Sequence, residues 1–205
     1  MDEHNTAIRL LVRPGDYVFP GAPIAVLISP VEGADAAIRR ATALGSERVS
    51  SVDLEYAVRN LVEVAVRALS PSINDPNTAI NVLDRLGATL CELVPLYLPT
   101  GVSLRSGRPV LVVPSVTYEG LTDAMFHSIR QNAASSPAVL IRLIEVLTAV
   151  ASCERDSGRR ASLKRHADLV LADAERSIPN SADTRDLRER HAAFAAAYVS
   201  NGAEF

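Results

Sequence analysis

From Ser50 to Val199, apolar residues recur every three or four positions, interrupted by short corners and one β-like segment. A chain patterned this way must bury helical stripes against one another, which predicts a helical bundle. The first helix is expected over 51–69, with Leu54, Val58, Leu61, Val62, Ala65 and Leu69 inward. Glu55, Arg59, Glu63 and Arg67 step by four along its other face. Each Glu precedes an Arg by four, the favourable order, worth about 0.2–0.5 kcal/mol per pair.

Ser70-Pro71-Ser72-Ile73-Asn74-Asp75-Pro76 closes that helix and opens the next. Asp75 suits the N-cap, and Pro76 suits the first helical position, where a missing N–H costs nothing. Pro95 stops this second helix. A third is expected from Thr117, and a fourth from Ser136-Pro137 to about Cys153. The fifth covers about 157–177, and the sixth runs from Asp183 to Val199 before Asn201-Gly202. Residues 102–113 read as a hairpin turning at Ser106-Gly107.

Residues 8–30 have a different character. Ile8 to Val12, Tyr17 to Phe19 and Ile24 to Ile28 read as three short strands separated by Pro-Gly turns. A short helix over 34–45, closed by Gly45, follows. The expected fold is therefore α+β and mostly α. Residues 1–31 form a partial β element, and 32–205 a domain of about six helices with the hairpin inserted at 102–113.

Composition narrows the function classes. With 48% hydrophobic and 22% charged residues in 205, the chain is neither disordered nor low in complexity. A net charge of −3 argues against a nucleic-acid partner. The most apolar stretch, Ala133 to Ala151, carries Arg142 and Glu145 near its middle, which a spanning helix would bear at high cost. The acidic N-terminal tip is unlike a signal peptide. Cys91 and Cys153, far apart in sequence, read as reduced core residues in a reducing cytosol.

Two constellations carry candidate chemistry. Ser70, Ser72, Asn74, Asp75 and Thr78 gather polar groups at a helix N-terminus, where backbone N–H groups favour anions. Arg59 and Arg67 are possible anion partners. The competing reading is a plain corner, with the Asp75 carboxylate already in the anion position. Glu119, Asp123 and His127 also step by four, placing two carboxylates and an imidazole on one helix face. That pattern suits a metal-assisted hydrolase, with Asp75 as a further carboxylate, and equally suits a solvated face. His4, His166 and His191 offer no catalytic geometry. Nucleophile elbows, phosphate loops and dinucleotide fingerprints are absent. The cluster Arg155, Arg159, Arg160, Lys164 and Arg165 reads as a solvated helix face.

Three stretches together resemble an uncharacterised bacterial family of predicted membrane proteins, catalogued as domain of unknown function 2254. They are Arg13-Pro14-Gly15-Asp16-Tyr17-Val18-Phe19-Pro20-Gly21, the long run from Asp53 through Ala79, and Thr117-Tyr118-Glu119-Gly120-Leu121. The resemblance spreads over about residues 8–150 and implies a soluble region that follows a block of transmembrane helices. It brings no reaction and no cofactor, so the cofactor stays unknown. The turn pattern Gly15-Asp16…Gly21 is also similar to half of a biotinyl or lipoyl barrel, but no lysine lies near it. The chain is thus expected to be a non-catalytic sensor or assembly domain, cytoplasmic and homo-oligomeric, with either a separate membrane-protein partner or a missing membrane block. Its ligand-facing residues would be Arg59, Arg67, Ser70, Ser72, Asn74, Asp75, Thr78, Glu119 and Asp123, provided the helix N-termini at Asp75 and Thr117 converge.

Overall fold

The computed structural model describes residues 6–45 and 54–200, comprising seven helices and one four-stranded sheet. The chain divides into two compact units, Met1–Tyr56 with Leu98–Val116, and Ala57–Tyr97 with Thr117–Phe205. The beginning of the first long helix and the Asn201-Gly202 stop lie outside the described residues.

In the first unit, strands β1 (Ile8–Leu10), β2 (Ala25–Leu27), β3 (Val102–Arg105) and β4 (Arg108–Val112) form a sheet of order β2-β1-β4-β3. The hairpin expected as an insertion among the helices instead pairs with β1, in parallel, through Ile8↔Leu111 and Arg9↔Val112. Local patterning identifies a hairpin but not its long-range partner, which here lies a hundred residues upstream. Ser106 and Gly107 both take positive φ, 51° and 76°. A two-residue turn with this twist matches the strands it joins, and glycine holds the conformation without steric cost.

Tyr17-Val18-Phe19 is not a strand. The Asp16 N–H donates to the Arg13 carbonyl and the Ala22 N–H to the Phe19 carbonyl, so turns flank the segment on both sides. Three residues between turns find no ladder partner, and Pro20 brings no donor. The two rings meet edge-on, 5.0 Å between centroids, and stay exposed. Helix α1 (Ala34–Ala41) stops before Gly45, where Thr42 turns extended and bonds its hydroxyl to the Ile38 carbonyl.

Six helices follow the expected order: α2 (Leu54–Ala68), α3 (Pro76–Leu93), α4 (Tyr118–Asn132), α5 (Pro137–Cys153), α6 (Ser157–Ser177) and α7 (Ser181–Ser200). Helix α5 is the hub, packing against α3, α6 and α7. It buries Leu140, Leu143, Ile144 and Leu147 completely, which explains its nearly unbroken apolar sequence. Arg142 and Glu145 reach outward from it. The Arg142 Nε donates to Asp84 at 2.6 Å, and Glu145 accepts from Arg190 at 3.1 Å. No described helix is long and apolar enough to cross a membrane.

Helix α2 departs from the expected facing. Val58, Val62 and Ala65 are buried, while Leu54 and Leu61 are exposed. Successive helical residues point about 100° apart, so Leu61 and Val62 cannot share one narrow buried stripe. Glu55, expected on the solvated ladder, is buried and pairs with Arg13 at 2.9 Å.

Candidate functional site

The corner between α2 and α3 is tightly self-bonded. Asn74 takes φ 48°, and its N–H donates to the Ser70 carbonyl; the Asp75 N–H reaches the Ala68 carbonyl at 2.8 Å. Asp75 caps α3, accepting from the Thr78 backbone at 3.2 Å and from the Thr78 hydroxyl at 2.6 Å. Those two bonds favour its ionised form and lower its pKa. Ser70 and Ser72 share a contact at 3.3 Å between hydroxyls. Arg67 pairs with Glu63 on its own helix, and Arg59 lies exposed on the same helix.

Glu119 and Asp123 sit elsewhere, on α4 where it packs against α6. Thr117 caps α4 through the Gly120 N–H at 3.0 Å. Arg165 of α6 approaches both carboxylates: it bonds Asp123 directly and lies 3.8 Å from Glu119. No hydrogen bond or ion pair among the described residues joins the 70–78 corner to Glu119 or Asp123. His127, the third member of the expected metal face, is exposed, and its Nδ1 lies 3.5 Å from Arg130. Among the described residues no three His, Cys, Asp or Glu side chains gather to hold an ion.

The imidazole that does meet Asp123 is His166, which sequence reading set aside. It is fully buried on α6, with Nε2 3.0 Å from Asp123 Oδ1 and its ring edge-on to Phe126 at 5.6 Å. Neither ring nitrogen finds an aligned hydrogen bond. Burial, and then the nearby Arg165, push its pKa down to about 4, against the pull of Asp123. It is therefore neutral at physiological pH. One turn-pair further along, Arg130 and Asp173 form a buried ion pair, and Asp173 also accepts from Arg176. The three matched pairs, Tyr118 with Arg159, Asp123 with Arg165 and His166, and Arg130 with Asp173, run in the same direction along α4 and α6. The helices are thus parallel, and their seam is polar at intervals.

A third cluster lies where α3 and α5 end. Arg159 donates to the carbonyls of Leu93 and Val94 at 3.3 Å and of Leu96 at 2.8 Å, closing the C-terminal end of α3. A cation suits those unpaired carbonyls. The same guanidinium stacks 5.2 Å from the Tyr118 ring centroid and 3.5 Å from Glu154. Glu154, almost wholly buried, accepts from the backbone N–H groups of Arg155 and Asp156 at 2.9 Å. The buried Tyr118 hydroxyl has no hydrogen-bond partner, and burial raises its pKa above the usual phenol range. Cys91 lies in the last turn of α3, and Cys153 is the last residue of α5. Burial raises the Cys91 pKa, and the neighbouring Cys153 side chain raises it further. Neither cysteine is disulfide-bonded; Cys91 is half-buried and Cys153 exposed. Cys153, expected in the core, is thus at the surface, because it ends its helix.

Comparison with known proteins supports the resemblance seen in the sequence. A family model described as "Predicted membrane protein (DUF2254)" matches residues 1–149. Uncharacterized proteins of Mycobacterium bovis and Mycobacterium tuberculosis are 33% identical over 141 residues, covering 68% of this chain. The aligned part is 27% of those relatives, so the chain spans only about a quarter of their length. No solved structure matches the chain.

Proposed function

From the premise that this chain belongs to the DUF2254 family of predicted membrane proteins, we propose that it is a non-catalytic assembly and sensor domain, on the cytoplasmic side, that self-associates through its sheet. The supporting observation is the sheet unit itself. Arg9 pairs with Val26 on one side and Val112 on the other, and Val112 pairs with Val102, so the four share one row across the sheet. Val26 and Val102 are exposed, as are Tyr17, Phe19, Ile28 and Leu104. Edge strands β2 and β3 add open backbone groups to this apolar surface, a combination that templates association.

The sensing half of the reading rests on the self-bonded corner of Ser70, Ser72, Asn74, Asp75 and Thr78, with Arg59 and Arg67 nearby on α2. Glu119 and Asp123 would form a second surface, matched by Arg165. Native mass spectrometry of freshly purified protein tests both halves. The expected result is an integer multiple of the chain mass that collapses to one copy in the double variant Val26→Asp, Val102→Asp. A concentration-independent monomer would overturn self-association and point to a membrane-embedded partner instead. A retained small-molecule mass that disappears on Asn74→Ala would establish the corner as the sensing surface; retention in that variant would move the surface elsewhere.

A further inference from the structure

We propose that the loop joining β1 to β2 is a lipid-contact site, whose tip, Tyr17 to Pro23, seats in the headgroup region of a bilayer. The loop is a preformed knob rather than a slack connection. The Leu11 N–H donates to the Ile24 carbonyl at 2.9 Å and closes its neck. Just inside, the Arg13 N–H donates to the Asp16 carboxylate at 2.8 Å, and the Arg13 guanidinium pairs with Glu55 at 2.9 Å. The charges at the base are thus matched among themselves. Beyond them the sequence carries no charge from Tyr17 to Val31. Within that neutral stretch Tyr17 is 79% and Phe19 69% exposed, although their rings hold each other edge-on at 5.0 Å.

The chemistry of the tip suits lipid better than a protein partner. A strand-adding partner needs open N–H groups, but the Ala22 N–H already bonds the Phe19 carbonyl, and Pro20 and Pro23 have none. The same shortage of free donors lowers the cost of moving this backbone out of water. A stable protein interface takes about 20–30 residues a side, and the tip offers only the seven from Tyr17 to Pro23. Partition into a bilayer needs no matched surface and grows with the apolar area inserted. Tyrosine suits the boundary because its ring is apolar while its hydroxyl stays wet. The family model that matches this stretch describes a predicted membrane protein, so a bilayer is the apolar phase such a chain works beside. The contact is distinct from the self-association proposed above, which runs across the strands through Val26 and Val102.

The test is flotation of the full chain with vesicles of phosphatidylcholine, and with vesicles of phosphatidylcholine and phosphatidylglycerol in equal parts. The expected result is flotation with both, little changed by high salt, because an uncharged tip gains nothing from anionic headgroups. Tyr17→Ser combined with Phe19→Ser should weaken partitioning roughly tenfold or more, as two apolar rings are withdrawn. Both side chains are exposed, so the melting temperature of that variant should stay as it is. Tyr17→Phe keeps the ring and should keep the binding. The chain has no tryptophan, so Phe19→Trp supplies a sole indole at the tip. Its emission should shift to the blue when vesicles are added, and not when the protein alone is concentrated. No flotation, flotation that survives the double serine variant, or flotation confined to anionic vesicles and lost in high salt would each overturn the proposal. So would a blue shift on concentrating the protein without lipid, which would put a second copy on the tip.

Discussion

The two units of this chain solve the problem of burial in opposite ways. The helical unit contains nearly every buried apolar residue, from Val58 on α2 to Phe194 on α7, whereas Ala7 is the only one that the sheet unit supplies among the described residues. The sheet unit instead exposes Leu11, Tyr17, Phe19, Val26, Ile28, Val102 and Leu104. A small sheet with so little of its own core depends on something covering its face. The helices thus bury their apolar residues against one another, while the strands leave theirs open.

The largest expected effect sharpens that contrast. Phe126 is fully buried between α4 and α6, and Phe126→Ala should cost about 3–5 kcal/mol in urea unfolding of the helical unit. Val26→Ala on the sheet should change the stability of the isolated chain by less than about 0.5 kcal/mol. If Val26→Ala proved as costly as Phe126→Ala, the sheet would already be covered in solution, and the contrast between the units would describe only the single chain.

The same contrast explains what the sequence made legible. Asp75 and Thr117 announce helix starts by side-chain capping and Pro137 by its fixed φ at the first helical position, and the structure begins α3, α4 and α5 at those positions. Nothing local tells the 102–113 hairpin that its partner is Ile8–Leu10. Nor does local spacing reveal that the buried stripe of α2 takes Val62 and leaves Leu61 exposed. The candidate sites suffered in the same way. The step-by-four spacing of Glu119, Asp123 and His127 is real, but the residues that give Asp123 its surroundings, Arg165 and His166, come from α6.

His166 provides a second way to probe the helical unit, through pH. Its pKa in the fold is about 4, below the ordinary 6.5, because burial and the cations Arg165 and Arg130 oppose its protonation more than Asp123 favours it. The unfolded chain therefore binds a proton between pH 6.5 and 4 that the folded chain does not. Stability from this residue is complete above about pH 6.5, falls as pH drops through that window, and is lost by about pH 4. The loss is on the order of 3 kcal/mol. Chemical unfolding followed from pH 7.5 to 4.5 should show this slope, and His166→Phe should flatten it. An unchanged slope in the variant would assign the acid sensitivity to the carboxylates, whose lowered pKa values at Glu145 and Asp168 also withdraw stability as pH falls.

The smallest effect tests the close approach of α3 to α5 that gives the helical unit its density. Gly87 faces Val146, and a Cβ there would come within 2.5 Å of Cγ1. Valine has no flexible end to swing away, so the helices themselves must part. Glycine is a poor helix residue, and replacing it gains about 1 kcal/mol of helical propensity for alanine. Gly87→Ala should therefore come out close to neutral or destabilise slightly, whereas Gly87→Val, with two more methyl groups, should cost about 1–3 kcal/mol. Adding Val146→Ala to Gly87→Val should recover part of that cost, since the two side chains contend for one space and their effects cannot be additive. Additive losses in the double variant would mean that the two helices stand further apart than the Gly87 contact requires, and the helical unit would lose one of the contacts that set it apart from the sheet.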